Sequence, residues 1–162
     1  MGYESNILKG IKKVTKLNKF KFIITFDADG QHSLSDLIRF KNYDENIDLL
    51  IGKRTKFNRW SEYILSKLFY IFLKIKDPLS GLKRYSCLNL KKRDNFFSNK
   101  LYLVDILYFF LKSKYNVKEI KISIKTRAEK ELARVGGDVK VNFKIIKIFF
   151  IFLIKIIRNA KN

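Results

Sequence analysis

Two carboxylates and a carboxamide stand close together directly after an apolar run in this 162-residue chain. Asp27, Asp29 and Gln31 follow the apolar segment 22–26 and are spaced two residues apart. In extended backbone, side chains two apart share one face, so the three can direct their oxygens at one cation. Oxygen ligands suit Mg²⁺ or Mn²⁺ rather than zinc, and Mg²⁺ commonly completes its shell with substrate phosphates. The spacing therefore predicts a metal site for a phosphate-bearing substrate; a polar turn after a core strand is the alternative.

The composition indicates one globular domain that meets an anionic partner or surface. Apolar residues make up 47% of the chain, and 35 Lys and Arg against 15 Asp and Glu give a net charge of +20. Nucleic acid, an acidic membrane surface and phosphorylated substrates would all satisfy that charge. The single cysteine, Cys87, cannot form an internal disulfide, and the N-terminal stretch lacks the apolar core of a signal peptide. We therefore expect a cytoplasmic protein.

Hydrophobic periodicity predicts alternating helices and strands. We expect helices over residues 5–17, 33–41, 60–74 and 103–111, and strands over 20–26, 47–52, 82–87 and 117–124. Such alternation predicts an α/β fold with a mostly parallel sheet flanked by helices. Ligands of open α/β sheets lie outside the carboxyl ends of the strands, which is where Asp27 and the Lys53-Arg54 pair fall.

Several segments, taken in order, resemble family 2 glycosyltransferases of the GT-A fold, and among them the dolichyl-phosphate mannose synthase-like polyprenyl-phosphate sugar transferases. The segments are DADGQH at 27–32, IGKR at 51–54, DPLSGLK at 77–83, EIKI at 119–122 and RVGG at 134–137. The resemblance implies a glycosyltransferase 2-like domain over residues 1–138. It also implies inverting transfer of a hexose from a nucleoside diphosphate sugar to a lipid-phosphate or glycan acceptor.

The resemblance also implies how the donor sugar nucleotide is held. Asp27, Asp29 and Gln31 match the acidic loop that holds Mg²⁺ or Mn²⁺ against the donor diphosphate, and Asp27 and Asp29 count among the donor-binding residues. Arg54 matches a donor-binding arginine, although Lys53 stands before it where serine is usual. A basic residue at the solvated surface is the alternative interpretation of Arg54.

Acceptor and catalytic residues follow from the same resemblance. Lys67 and Arg134 match positions that receive the acceptor phosphate, although Lys67 lacks the fork of an arginine and Asp138 replaces a usual serine. Solvated basic surface is again the alternative for both. Asp77 is the candidate catalytic residue, as a base or a neighbour of the metal, and it could equally cap its turn.

The start of the chain departs from the family pattern. Family members open with an apolar strand that ends in a Tyr-Asn-Glu type turn, followed by a second strand whose acids grip the nucleotide; residues 1–21 contain neither. We therefore expect a truncated GT-A fold with an exposed strand edge. The alternative function is an inactive fragment, or one half of a split enzyme whose second chain supplies the missing strands.

The tail over residues 139–162 predicts a basic amphipathic helix. Its basic residues at 140, 144, 147, 155 and 158 fall within an arc of roughly 80° at helical spacing. The charge-free apolar run 148–154 is far shorter than the about 20 residues that cross a bilayer. We expect an interfacial helix on the anionic inner face of the cell membrane; a helix that packs on the sheet is the alternative.

A nucleic-acid binder is the remaining class, and the sequence argues against it. The charge and the aromatic residues would suit it, but the chain has no recognised RNA-binding strand, zinc pattern or recognition helix. Asp27 and Asp29 would repel phosphates unless a metal neutralised them. We therefore expect no nucleic-acid partner.

Overall fold

The structure, a computed structural model, describes residues 3–28, 30–57, 60–92 and 102–124, together with residues 143, 146, 147, 149–152 and 154 of the tail. The helices are α1 (Tyr3–Lys16), α2 (Leu34–Lys41), α3 (Trp60–Leu73), α4 (Cys87–Lys91) and α5 (Tyr102–Lys112), and the strands are β1 (Phe22–Thr25), β2 (Leu49–Arg54), β3 (Lys83–Ser86) and β4 (Val117–Ile122). Apart from α4, these elements match the alternation predicted from periodicity. The predicted domain boundary at residue 138 lies outside the described residues.

The four strands form one sheet in the order β1-β3-β2-β4. β3 lies between β1 and β2 and is antiparallel to both, with Phe22 opposite Ser86 and Leu49 opposite Tyr85. β4 pairs with β2 in parallel. The fold is therefore α/β with a mixed sheet.

The prediction of a mostly parallel sheet is wrong, because two of the three strand pairs in the described sheet are antiparallel. The reversal arises between α3 and β3. The turn that precedes β3 lies beside the end of β2, where the Gly52 amide donates to the Leu82 carbonyl at 2.9 Å. The chain therefore starts β3 at the end of the sheet where β2 stops. In a parallel crossover, α3 would instead carry the chain back to the end where β2 starts.

Helices cover both faces of the sheet. Leu49 and Ile51 of β2 pack in one cluster with residues of α1 and α5, whereas Leu50, which points to the other face, packs with Phe40 of α2. The side chains of Leu49, Leu50 and Ile51 are fully buried. Burying each is worth about 1.5–3 kcal/mol, so the strand that leads to Arg54 is firmly held on both faces.

Serine caps fix the starts of two helices. The Ser33 hydroxyl accepts a hydrogen bond from the Asp36 amide at 3.0 Å, which confirms the predicted cap at the start of α2. Ser86 caps α4 in the same way, by accepting from the Asn89 amide. The predicted strand therefore stops one residue before Cys87, and α4 is a helix that periodicity did not predict.

The described part of the tail is helical and packs on α3. Phe149 and Phe152 are buried, with ring centres 5.6 and 5.0 Å from the ring centre of Phe69. This side of the tail therefore packs on helices rather than on the sheet, while Phe143 and Phe150 are exposed. Contact of the tail with a membrane stays a prediction. Within the described residues, no helix has the length and apolarity needed to cross a membrane.

Candidate functional site

The two polar clusters predicted from sequence, at Asp27 and at the Lys53-Arg54 pair, lie at the same end of the sheet, where β1 and β2 terminate. Because β1 and β2 are both antiparallel to β3, they run in the same direction and end at the same edge. Asp27 follows β1 by two residues, and Arg54 is the last residue of β2. The turn at residues 77–82 begins β3 at this edge too. The candidate site is therefore built from two strand ends and the turn between them.

Asp27 lies against the backbone of that turn. Its side chain is 36% exposed, and His32 Nε2 is 3.7 Å from one of its oxygens. The Asp27 carboxylate packs so closely on Gly81 that a Cβ at Gly81 would overlap it. Gln31, the second predicted ligand that can be placed, is partly exposed on the same loop, and Asp29 lies outside the described residues.

Arg54 and Asp77 bind each other. Arg54 donates to the Asp77 carboxylate from its backbone amide at 3.0 Å, from Nε at 2.8 Å and from Nη2 at 3.0 Å. The Asp77 side chain is 1% exposed and the Arg54 side chain 13%. A bidentate arginine–carboxylate pair is stronger than a single hydrogen bond, and it fixes the planes of the guanidinium and the carboxylate. It joins the end of β2 to the turn before β3.

Glu62 completes the surroundings of the Arg54 guanidinium. Glu62 lies in the first turn of α3, is largely buried, and accepts from Arg54 Nη1 at 3.1 Å. Burial by itself lowers the pKa of Arg54, but the hydrogen bond to Asp77 and the charges of Asp77, Glu62 and Asp27 outweigh it, and the pKa of Arg54 is raised. The guanidinium is thus a fixed positive charge among three carboxylates.

This geometry bears on the role of Asp77. A carboxylate that already accepts three hydrogen bonds from Arg54 has little capacity left to take a proton from a substrate. The geometry therefore favours the interpretation in which Asp77 holds its turn in place. Its predicted role as a catalytic base gains no support from these contacts.

Of the two predicted acceptor residues, the structure describes Lys67, which makes none of the contacts given above for this cluster. Lys67 lies on the exposed side of α3, with Nζ 5.4 Å from the ring centre of Tyr63. Arg134 lies outside the described residues, as does Asp138. Their role as acceptor-phosphate ligands stays a prediction.

The donor atoms near Asp27 suit a hard cation or another polar ligand. Among the described residues there is no group of three His, Cys, Asp or Glu side chains that could hold a metal, but Asp29 is not one of these residues. Among the residues that the structure describes, the buried Ser80 hydroxyl beside Gly81 and the buried His32 Nδ1 have no hydrogen-bond partner. Unsatisfied buried polar atoms on the loop and the turn that flank Asp27 fit a site that takes a polar ligand.

Two residues of the site were missed by sequence reasoning. Glu62 belongs to an apolar helix and carries no motif, so only its contact with Arg54 identifies it. Gly81 was quoted as part of a motif, but its contact with Asp27 spans 54 positions and leaves no local signal. Glycine in a turn ordinarily indicates backbone freedom, whereas here the missing side chain makes room for a carboxylate.

Comparison with known proteins adds little to this geometry. No family model matches the chain. The uncharacterized protein MJ1222 of Methanocaldococcus jannaschii is 28% identical to this chain over 148 residues. The match covers 83% of this chain and 61% of MJ1222, so the chain spans less than two thirds of that relative. Because MJ1222 is itself described as uncharacterized, the function has to be argued from the site.

Proposed function

We propose that this chain is a metal-assisted glycosyltransferase that moves a hexose from a nucleoside diphosphate sugar to a lipid-phosphate or glycan acceptor. The observation that carries the proposal is that one turn contacts both predicted clusters, since its Gly81 lies against Asp27 and its Asp77 binds Arg54. These residues come from three separate segments, and each segment resembles a glycosyltransferase motif. Their meeting in space is therefore independent support for a common site.

The local charge supports a cation at this edge. In a chain with a net charge of +20, the Arg54 guanidinium binds the carboxylates of Asp77 and Glu62, and the charge of Asp27 also acts on it. An anionic substrate alone would meet these carboxylates unfavourably, because like charges at short range repel. A divalent cation held by Asp27, with Asp29 and Gln31 beside it, would neutralise most of that negative charge.

The proposed reaction is an inverting displacement at the anomeric carbon. The acceptor oxygen attacks that carbon, the bond to the donor diphosphate breaks, and the nucleoside diphosphate leaves with the bonding electrons. Mg²⁺ or Mn²⁺ would supply positive charge for the growing charge of the leaving group. Asp27 would hold the ion, while Asp77 and Glu62 fix the Arg54 guanidinium at the same end of the sheet.

A transfer assay tests the proposal directly. The purified full chain is incubated with Mn²⁺, a panel of radiolabelled nucleoside diphosphate hexoses, and polyprenyl phosphate in detergent micelles. We expect Mn²⁺-dependent transfer of label into the lipid phase, and its loss in Asp27→Asn. Asp44→Asn is the matched control, because Asp44 is exposed and its carboxylate accepts only from the nearby Asn46 amide among the described contacts. Transfer that survives chelation and Asp27→Asn would remove the metal assignment.

Peripheral contact with an anionic membrane is part of the proposal, and α3 supports it. Five of its apolar side chains are exposed at helical spacing along one stripe: Trp60, Tyr63, Ile64, Tyr70 and Ile71. Lys67 lies within that stripe. Aromatic rings at the boundary of apolar and polar zones, with lysines beside them, are typical of helices that lie in a membrane interface. A lipid-phosphate acceptor would be met at such a surface.

Liposome sedimentation tests the membrane contact. The double variant Trp60→Ser with Ile71→Ser should bind anionic vesicles about tenfold more weakly, because two exposed apolar groups are lost from the interface. Leu88→Ser is the matched control, since Leu88 is 65% exposed but lies on α4. Equal weakening in both variants would contradict a role for the α3 stripe.

A second candidate function is supported by the state of β1. Within the described sheet, β1 pairs with β3 on one side only, and its four residues are half-buried where those of β3 are buried. An apolar edge strand is a site for pairing with a further strand. The second candidate is thus half of a split glycosyltransferase, or an inactive remnant. Saturable Mn²⁺ binding without transfer of any hexose would favour it.

A further inference from the structure

Glu119 of β4 reaches across to the turn that carries Asp77. Its carboxylate accepts hydrogen bonds from the Lys76 amide at 2.9 and 3.0 Å and from the Asp77 amide at 2.8 Å. These amides are 42 and 43 positions away along the chain. Two successive amides that point at one carboxylate form a small anion-binding concavity, and hydrogen bonds to a charged acceptor are roughly twice as strong as neutral ones.

The same turn governs both halves of the candidate site. Its Asp77 side chain holds Arg54, and its Gly81 backbone lies against the Asp27 carboxylate. The far end of the turn is fixed separately, because the Thr25 hydroxyl donates to the Gly81 carbonyl at 3.1 Å. At the start of the turn, Lys83 Nζ donates to the Pro78 carbonyl at 2.8 Å, and Glu119 accepts from the Lys76 and Asp77 amides.

We propose that Glu119 is a positioning residue: by holding the start of this turn, it fixes the positions of Asp27 and Arg54 relative to each other. The inference rests on the proposed function only for the reaction that Asp27 and Arg54 would carry out. Glu119 would touch neither donor nor acceptor. It acts through the backbone of Lys76 and Asp77, so its oxygens must reach these two amides, and its charge does not have to act on a cation.

Three substitutions separate reach from charge. Glu119→Gln keeps the length of the side chain and a carbonyl oxygen but loses the charge. Glu119→Asp keeps the charge but shortens the side chain by one methylene. Glu119→Ala loses both. A positioning role predicts that the Gln variant resembles the wild type and that the Asp and Ala variants do not, whereas a role of the charge on a nearby cation predicts the reverse order.

The first measurement is amide hydrogen exchange by NMR on the full chain without metal. Glu119→Ala should speed the exchange of the Lys76 and Asp77 amides about tenfold and shift the amide resonances of Gly81 and Asp27. Glu119→Gln keeps one oxygen that can accept from both amides, so it should speed the exchange less than Glu119→Ala does. Lys121→Ala is the matched control, because Lys121 is exposed and two residues further along the same strand. Unchanged exchange at Lys76 and Asp77, or unchanged resonances at Gly81 and Asp27, would overturn the inference.

The second measurement is Mn²⁺ affinity from the electron paramagnetic resonance of free Mn²⁺. We expect the dissociation constant to rise about 10- to 100-fold in Glu119→Ala and Glu119→Asp, as for other residues that orient a ligand, and to be restored in Glu119→Gln. Wild-type affinity in Glu119→Ala would contradict the inference. A wild-type chain that binds no Mn²⁺ would instead contradict the proposed function, while the exchange data would still decide whether Glu119 positions the turn.

Discussion

Replacing Gly81 by alanine should displace Asp27 while leaving the fold intact. A Cβ at residue 81 would lie 2.6 Å from Asp27 Cγ, whereas ordinary contacts begin at 3.4 Å. One partner must therefore retreat by most of an ångström. The Gly81 backbone is held by the Thr25 hydroxyl, and the next residue, Leu82, accepts from the Gly52 amide. The Asp27 side chain is partly exposed, so it is the group that moves.

The size of the effect follows from how exact a metal site must be. Metal–oxygen distances tolerate only about 0.2 Å, so a shift of most of an ångström takes Asp27 out of its place in the site. We expect the Mn²⁺ dissociation constant to rise about 10- to 100-fold. The free energy of unfolding should fall by no more than about 1 kcal/mol, because a surface-facing side chain and not the core absorbs the overlap.

Gly10→Ala is the matched control for this substitution. Gly10 lies within α1, and a Cβ there would meet nothing within 4 Å. Alanine should stabilise the helix by about 0.5–1 kcal/mol and leave Mn²⁺ affinity unchanged. Titration of both variants with Mn²⁺ by electron paramagnetic resonance, together with urea unfolding, measures the two effects. Wild-type Mn²⁺ affinity in Gly81→Ala would refute the reasoning, and so would a loss of stability larger than the loss of affinity.

Further predictions concern the Arg54–Asp77 pair, the buried ring of Phe69 and the thiol of Cys87. Asp77→Ala should lower the free energy of unfolding by about 3 kcal/mol in urea titrations, because it leaves Arg54 buried without its main partner; a loss below 1 kcal/mol would contradict this. Phe69→Ala should cost about 3–5 kcal/mol, since its buried ring stacks on Phe152; a cost typical of surface positions would count against the packing of the tail. Burial raises the pKa of Cys87, so alkylation at pH 8 should be much slower in the native chain than in urea, and equal rates would show that the thiol is accessible.

Much of the secondary structure could be predicted from the sequence, because the patterns that define it are local. The apolar runs at β1 and β2 and the Ser33 cap of α2 were all visible in short windows. The direction of β3 was not, because it depends on where the turn after α3 returns to the sheet. The helix α4 was missed because the strand predicted over residues 82–87 included both its cap, Ser86, and its first residue, Cys87.

The candidate site also has features that the sequence predicted and features that it did not. The position of Asp27 and Arg54 at one edge follows from their places at the ends of strands, which the sequence predicted. The pairing of Arg54 with Asp77 joins residues 23 positions apart, and no spacing rule predicts it. For the tail, the apolar residues cover most of the helix, so the sequence alone left open which side would pack. Contacts with Phe69 identify the buried side as that of Phe149 and Phe152.

The place of β3 in the sheet has a consequence for synthesis of the chain. β3 is the third strand to leave the ribosome, yet it lies between the first two, and Phe22 of β1 must wait for Ser86 before it has a partner. Contacts of such long sequence separation form late in folding. Until then the apolar segment 22–26 of the nascent chain has no strand to pair with. Chaperones that bind extended apolar segments should therefore meet this stretch on the ribosome, and a shorter delay before residue 86 emerges should reduce that encounter.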